Sequence, residues 1–189
     1  MKIISTPLKG VSIIEPIFFE DSRGYFMETY QKKRYKEAGI DCNFVQDNLS
    51  FSNRATIRGL HFQLQNPQAK LVQVIKGAIF DVAVDIRIGS PDFGRWTGVE
   101  LTDENRRQLF IPEGFAHGFL VLSESAYFIY KCSDYYAEDD EGGILWSDPE
   151  VGIKWNVDKP IISGKDSRYK LLKDIPEELL PHYYKSSHK

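Results

Sequence analysis

The segment A-I-F-D-V-A-V-D-I-R, residues 78–87, decides the fold class. Apolar and polar side chains alternate along it, and the two sets are Phe80, Val82, Val84 and Ile86 against Asp81, Ala83, Asp85 and Arg87. A period of two residues is typical of a β-strand. Lys76-Gly77 precedes the segment and the turn sequence G-S-P-D-F-G, residues 89–94, follows it. These turn residues delimit the strand at both ends.

Similar short apolar segments, separated by turn residues, occur on both sides of that strand. The pattern predicts further strands over 11–19, 24–30, 44–51, 56–63, 70–75, 95–101, 107–111, 118–122 and 126–132. It also predicts a short helix over 31–38, which Gly39 ends, and another within 171–184. Many short strands separated by turns are typical of a sandwich or barrel. With no repeat or linker, we expect one all-β domain over residues 1–189.

Composition narrows the classes of function. The net charge is −3 and no block of like charges occurs, so the chain lacks the electrostatic footprint of a protein that binds nucleic acid or an anionic membrane. The two cysteines, Cys42 and Cys132, are too few for a disulfide scaffold. The start M-K-I-I-S-T-P-L-K-G has no apolar run of the signal-peptide kind. We therefore expect a cytoplasmic protein without nucleic-acid or membrane partners.

Two of the four histidines, His61 and His117, lie in strand-like apolar contexts, whereas His182 and His188 belong to a polar tail that we expect to be exposed. The segment P-E-G-F-A-H that ends at His117 matches P-x-G-x-x-H, the second motif of the cupin family. The segment R-G-L-H-F-Q around His61, with later residues up to Gly77, resembles the first motif. This resemblance implies a jelly-roll β-barrel with a few short peripheral helices.

The departures from the first cupin motif bear on the chemistry. Gln63 and Lys70 stand where that motif places metal ligands. A divalent ion needs neutral imidazoles, thiolates or carboxylates, and an ammonium group repels it. We therefore expect a site without metal or other cofactor. A histidine beside a cation suits proton abstraction, in which histidine is the base and lysine stabilises the oxyanion.

Seven segments in order resemble the dTDP-4-dehydrorhamnose 3,5-epimerase family over nearly the whole chain. They are D-S-R-G-Y-F-M-E (21–28), Q-D-N-L-S-F-S (46–52), R-G-L-H-F-Q (58–63), K-L-V-Q-V-I-K-G (70–77), D-V-A-V-D-I-R (81–87), I-P-E-G-F-A-H-G-F (111–119) and E-G-G-I-L-W-S-D-P (141–149). The resemblance implies inversion of C3 and C5 of dTDP-4-keto-6-deoxy-D-glucose through an enolate, which yields dTDP-4-keto-L-rhamnose. It also implies a homodimer that exchanges N-terminal strands.

The resemblance further implies roles for individual residues. The catalytic set is His61 as general base, Asp166 as the carboxylate that holds it, Lys70 at the keto oxygen and Tyr130 as the acid on the opposite face. The pair His117 and Asp81 is expected to support the site. The residues implied for nucleotide-sugar binding are Arg23, Phe26, Glu28, Gln46, Asn48, Arg58 and Lys165, of which Arg23 and Glu28 are expected to reach the partner's site.

Two local features depart from a simple pattern. Arg58 and His61 have opposite parity on a regular strand, and a bulge at Gly59 would allow both to face one site. Tyr169 and Lys170 stand where the family commonly has a proline. Two alternatives stay open: an epimerase of one carbon or a keto-sugar isomerase of another nucleotide deoxysugar, and a non-catalytic sugar-binding cupin.

Overall fold

The computed structural model describes residues 1–183. No helix within this range is long and apolar enough to cross a membrane. The strands are β1 (Lys2–Ser5), β2 (Ser12–Glu15), β3 (Phe18–Asp21), β4 (Gly24–Met27), β5 (Gln46–Asn53), β6 (Ile57–Gln63), β7 (Lys70–Lys76), β8 (Ala78–Asp85), β9 (Trp96–Thr102), β10 (Gln108–Ile111), β11 (Phe115–Val121), β12 (Ser125–Cys132) and β13 (Glu141–Gly143). The helical elements are α1 (Lys32–Glu37) and 3-10 turns at Glu138–Asp140, Asp166–Arg168, Leu172–Asp174 and Glu177–Leu179.

Two antiparallel sheets carry the architecture. One has the order β1-β2-β10-β7-β12-β5, the other has the order β13-β6-β11-β8-β9, and β3 and β4 form a separate hairpin. From β5 to β8 the chain alternates between the two large sheets at each connection. This alternation is the jelly-roll connection, and the fold is the predicted all-β, cupin-type jelly roll with short peripheral helical segments.

The apolar core lies between the two sheets. Its members include Val72 and Val74 of β7, Phe128 of β12 and Phe119 of β11, all with at most 4% of their surface exposed. Because side chains alternate along a strand, Lys70 lies on the same face of β7 as the two valines. Tyr130 packs against this cluster from β12. The inward faces of β7 and β12 therefore carry apolar core residues and, beside them, the polar side chains of Lys70 and Tyr130.

The strand β8 is buried on both faces. Val82 and Val84 belong to a second cluster, which the C-terminal segment covers with Trp155 and Leu172. Asp81 lies on the opposite face, which is the side of the inter-sheet core, and is fully buried. The face of β8 that carries Asp81 is therefore buried between the two sheets. The other face is buried beneath the C-terminal segment, so neither face of β8 is exposed to solvent.

Several predicted boundaries are wrong. The predicted strand 11–19 is two strands, because Pro16 lies between them and cannot donate a ladder hydrogen bond. The strand predicted over 118–122 begins earlier, at Phe115, and β1 and β13 were not predicted at all. The described part of the predicted 171–184 helix is 3-10 turns, since Pro176 and Pro181 interrupt it, and position 184 lies outside the described residues. His182 is exposed, and His188 lies outside the described residues.

Candidate active site

A cavity of about 730 Å³ opens at one end of the space between the sheets. Strands β5, β6, β7 and β12 line it, together with the segment before the 3-10 turn at Asp166–Arg168. Its ionisable and amide side chains are Gln46, Asn48, Asn53, Arg58, His61, Gln63, Gln68, Lys70, Tyr130, Cys132, Tyr136, Glu141, Lys165 and Asp166. The volume is in the range of small-molecule sites, and the lining combines these polar groups with apolar side chains such as Ile57 and Phe62.

His61 and Asp166 form a hydrogen-bonded dyad. The distance from His61 Nε2 to Asp166 Oδ1 is 2.8 Å, and the Gly59 N–H donates to Oδ2 at 3.2 Å. Burial alone would raise the pKa of Asp166, but the hydrogen bonds from His61 and Gly59 hold this pKa below its ordinary value. An ionised carboxylate only accepts, so Nε2 carries the hydrogen and Nδ1 keeps a lone pair. The dyad thus presents a histidine that is ready to accept a proton.

The expected bulge in β6 is present and resolves the parity problem. His61 pairs with His117 of β11, and Arg58 pairs with Phe119. The two paired positions are three residues apart on β6 but only two residues apart on β11, so β6 contains one extra residue. Gly59 has a φ of 119°, and a Cβ there would lie 2.6 Å from the Gly118 Cα. Only glycine fits such an approach of two backbones. The extra residue allows Arg58 and His61 to line the same cavity, and it also frees the Gly59 N–H for Asp166.

Lys70 and Tyr130 line the cavity from the six-stranded sheet, opposite the strand of His61. Burial lowers the pKa of Lys70, whereas burial raises the pKa of Tyr130. Within residues 1–183 the Lys70 ammonium has no hydrogen bond or ion pair, so its charge is available to a ligand. Tyr130 keeps its proton well above neutral pH and is suited to donate one.

His117 and Asp81 form a second histidine–carboxylate pair. His117 Nε2 lies 3.0 Å from both oxygens of Asp81, and both side chains are buried. Burial raises the pKa of Asp81, against the opposing effects of His117 and Lys70. The His117 ring stacks on Phe128 of the core, at 6.2 Å between centroids. This pair therefore lies behind the cavity wall, near enough to Lys70 for the two groups to interact.

Glu141 is the site residue that the sequence reasoning missed. Its Oε1 accepts from Lys165 Nζ at 2.8 Å and lies 3.8 Å from His61 Nε2, while its Oε2 accepts from Tyr136 at 2.7 Å. These contacts outweigh burial, which would raise the pKa of Glu141, and leave that pKa lowered. A signal was present, since Glu141 opens the segment E-G-G-I-L-W-S-D-P. That segment contributed only to the family resemblance, and no pattern within it indicated an inward carboxylate.

Four of the predicted nucleotide-binding residues lie in the cavity. Gln46 Nε2 donates to Asn48 Oδ1 at 3.0 Å on β5, and Arg58 Nε donates to Ser52 Oγ at 2.9 Å. Lys165 lines the same cavity through its ion pair with Glu141. The guanidinium and ammonium groups suit a diphosphate, and the amides suit the edge of a base.

The other three predicted binding residues do not line the cavity of their own chain. Arg23 lies at the β3–β4 turn, with 87% of its side chain exposed, and pairs with Asp21. Phe26 is 71% exposed on β4, and Glu28 pairs with Arg34 of α1. Arg23 and Phe26 lie on the separate β3–β4 hairpin and Glu28 follows it, so the described chain by itself does not assemble the complete predicted set.

The residues at the former cupin ligand positions do not fit a metal ion. Gln63 Nε2 donates to the Asn66 carbonyl at 2.7 Å, and Gln63 Oε1 accepts from the Ala137 N–H at 3.0 Å. Lys70 brings a positive charge to the other position. Within the described range, no group of at least three His, Cys, Asp or Glu side chains is arranged to hold a metal. The amide of Gln63 and the ammonium of Lys70 therefore provide no metal site at these two positions.

Comparisons with known proteins point in one direction. Residues 5–174 match the sequence family described as dTDP-4-dehydrorhamnose 3,5-epimerase. The enzyme of that name from Methanothermobacter thermautotrophicus is 53% identical over 178 residues, which cover 93% of this chain and 96% of the relative. A dTDP-4-dehydrorhamnose 3-epimerase from Streptomyces niveus is 39% identical over 186 residues, which cover 97% of this chain and 90% of the relative. The crystal structure of the dTDP-6-deoxy-D-glucose-3,5-epimerase of Legionella pneumophila, in complex with dTDP-4-keto-L-rhamnose, superimposes with a TM-score of 0.95 at 52% identity and covers 97% of this chain and 99% of that chain.

Proposed function

This chain belongs to the dTDP-4-dehydrorhamnose 3,5-epimerase family, and on that premise we propose that it converts dTDP-4-keto-6-deoxy-D-glucose to dTDP-4-keto-L-rhamnose. The observation that carries the mechanism is the placement of acid and base. His61 lies on β6 of the five-stranded sheet, and Tyr130 lies on β12 of the six-stranded sheet. Both side chains line one cavity, so a sugar ring between the sheets meets the base on one face and the acid on the other.

The first step is removal of a proton next to the ketone. A hydrogen on C3 or C5 is acidic because the electron pair that it leaves delocalises onto the C4 oxygen. His61 takes this proton at Nδ1 and becomes an imidazolium. Asp166, at 2.8 Å from Nε2, stabilises the new positive charge and keeps the ring in the required tautomer.

The second step needs a cation at the developing oxyanion. Lys70 lies in the cavity wall, and its ammonium has no partner among residues 1–183. A charge that is already in place in a partly dehydrated site stabilises the enolate more than water does. We assign Lys70 to the C4 oxygen for this reason.

The third step returns a proton to the opposite face of the carbon. Tyr130 donates its phenolic proton to C3 or C5, the enolate electrons return to carbon, and the configuration is inverted. Solvent then takes the proton that remains on His61 and replaces the one that left Tyr130. Repetition at the second carbon gives the doubly inverted product, without a redox cofactor.

Product analysis in D2O tests this proposal. The chain is incubated with dTDP-4-keto-6-deoxy-D-glucose, and NMR follows the configuration and the deuterium content at C3 and C5. We expect inversion and one deuterium at both carbons, and loss of both signals in His61→Asn. Inversion at C3 alone would favour the mono-epimerase, the activity named for the Streptomyces niveus relative. Substrate binding without any exchange would identify a non-catalytic sugar-binding protein.

We also propose that the chain forms a homodimer in which the β3–β4 hairpin reaches the partner. The hairpin exposes Phe19 at 67% and Phe26 at 71%, and the outer face of the edge strand β5 exposes Leu49 at 66% and Phe51 at 50%. Exposed apolar side chains in clusters are typical of protein interfaces. This arrangement would bring Arg23 and Glu28, which lie outside their own cavity, to the partner's site.

Mixed dimers test the exchange directly. Arg23→Ala and His61→Asn are each expected to be poorly active alone. In a mixed dimer, one site would combine an intact His61 with an intact Arg23 from the other chain. Random mixing should then restore about a quarter of the wild-type activity, because half of the dimers are mixed and each has one intact site. Activity that stays at the sum of the two variants would exclude the exchange.

We propose the cytoplasm as the site of action. Cys42 and Cys132 are both free thiols, which a reducing compartment preserves. Recovery of the protein from another compartment on cell fractionation would contradict this assignment.

A further inference from the structure

Tyr169 lies against the catalytic dyad without lining the cavity in the part of the chain that the structure describes. It follows the 3-10 turn that carries Asp166, and its ring centroid lies 5.8 Å from that of His61, at an interplanar angle of 68°. Its hydroxyl donates to Glu141 Oε1 at 3.2 Å. The steps of the proposed mechanism do not use this residue, although it touches two side chains of the site.

The strand β13 is shaped to receive this ring. A Cβ at Gly143 would lie 2.4 Å from Tyr169 Cε2, so any other residue there would displace the ring. The neighbouring backbone is also tied, since the Leu145 N–H donates to the Lys170 carbonyl at 2.8 Å. Tyr169 is therefore held in one place by packing on one side and by backbone pairing on the other.

Glu141 receives three side-chain hydrogen bonds, and they differ in position. Tyr136 and Lys165 donate from the cavity wall, where a bound nucleotide sugar competes for them. Tyr169 donates from outside the wall, where a ligand does not reach it. Burial, followed by the charge of Glu141, raises the pKa of Tyr169, so its hydroxyl stays a donor throughout the working pH range. Of these three donors, it is therefore the one that a ligand in the cavity would leave on Glu141.

We propose that Tyr169 is a positioning residue for the general base, which it serves by fixing Glu141 beside His61 and by limiting rotation of the imidazole ring. The proposal rests on the proposed epimerase function. Glu141 Oε1 lies 3.8 Å from His61 Nε2, near enough to stabilise the imidazolium that forms when His61 takes the substrate proton. A carboxylate that followed Lys165 toward the ligand would lose this effect, and Tyr169 prevents that movement.

The test uses Tyr169→Phe, which keeps the ring and removes the hydroxyl. We expect kcat and the rate of deuterium uptake to fall together by about three- to tenfold, as is typical for loss of one hydrogen bond, with KM nearly unchanged. Tyr183→Phe is the matched control, because it removes a hydroxyl from a tyrosine ring that packs on Arg87 and does not line the cavity in the described chain. It should behave as wild type.

A double-mutant cycle separates positioning from a general loss of packing. If Tyr169 acts through Glu141, then Tyr169→Phe should cost little in a Glu141→Gln background, whereas a packing effect would be additive. Full activity of Tyr169→Phe, or additive losses in the cycle, would overturn the proposal. Failure of the epimerase assignment looks different, since the wild-type chain itself would then take up no deuterium from D2O.

Discussion

Replacement of Asp166 gives the sharpest test of the dyad, because two donors converge on its carboxylate. His61 Nε2–H and the Gly59 N–H approach different oxygens, at 2.8 Å and 3.2 Å, and only 5% of the side chain is exposed. Asp166→Ala removes a hydrogen bond to the developing imidazolium. Such a bond contributes roughly 1.5–3 kcal/mol. At about 1.36 kcal/mol per tenfold change in rate, kcat/KM should fall about 10- to 150-fold.

Asp166→Asn should be worse than Asp166→Ala, although it is the more conservative change. The amide has one oxygen for two donors. If that oxygen keeps the Gly59 N–H, the amide nitrogen donates to His61 Nε2 and forces the hydrogen onto Nδ1, where the lone pair is needed. The corresponding change in a serine-protease triad lowers kcat by about 10⁴-fold through the wrong tautomer. We expect a loss approaching that size.

The assay measures deuterium uptake at C3 and C5 by NMR, which isolates proton removal from product release. Asp148→Asn is the matched control: Asp148 is 3% exposed and accepts backbone N–H groups from Glu150 and Leu172, outside the described cavity wall. The Asp148→Asn variant should have a lower thermal stability but no selective loss of deuterium uptake at C3 and C5. Wild-type exchange in Asp166→Asn, or a smaller loss than in Asp166→Ala, would refute the dyad as described.

Three further predictions follow from the opposed walls of the cavity. Tyr130→Phe should slow inversion about 10²–10⁴-fold, while deuterium uptake with retained configuration persists, because His61 still forms the enolate; equal losses of both signals would contradict this division of roles. Activity should fall at high pH as Lys70 loses its proton, and the lowered pKa of Lys70 places this fall below the ordinary lysine pKa of about 10.4. Tyr130 stays protonated over this range because its pKa is raised. Lys70→Arg, which stays charged, should show residual activity without this fall. Exhaustive chelation should leave turnover unchanged, and loss that zinc or manganese reverses would show that a metal takes part.

The fold was predictable because strand alternation is a local property. The pattern of residues 78–87 identified β8, and the G-S-P-D-F-G turn marked its end, so the all-β class followed without knowledge of any long-range contact. The sheet order was not predictable in this way, since each pairing joins segments far apart in the chain. Alternation alone did not predict the inward orientation of Asp81, which only the family resemblance implied, because the C-terminal segment covers the face of β8 that a simple pattern assigns to the core.

The proposed catalytic residues could be predicted from the sequence to different degrees. Lys70 shares its strand face with Val72 and Val74, so alternation alone turns it inward. His61 needed the bulge at Gly59, which the parity conflict with Arg58 signalled in advance. Asp166 lies in a short 3-10 turn with no periodicity, and only the family resemblance pointed to it. Local patterns therefore located the residues on strands, and loop residues required comparison.

The two-sheet architecture explains how residues from distant parts of the chain line one cavity. His61 belongs to one sheet and Tyr130 to the other, so the packing of the inter-sheet core sets the distance between the proposed base and the proposed acid. Phe128, two residues before Tyr130 on the same face of β12, forms part of that core. A protein interior is close-packed, so the side chains between the two sheets fix the distance between them. The barrel is thus a rigid frame of the kind that the proposed reaction needs, since that reaction removes a proton from one face of a carbon and returns one to the other face.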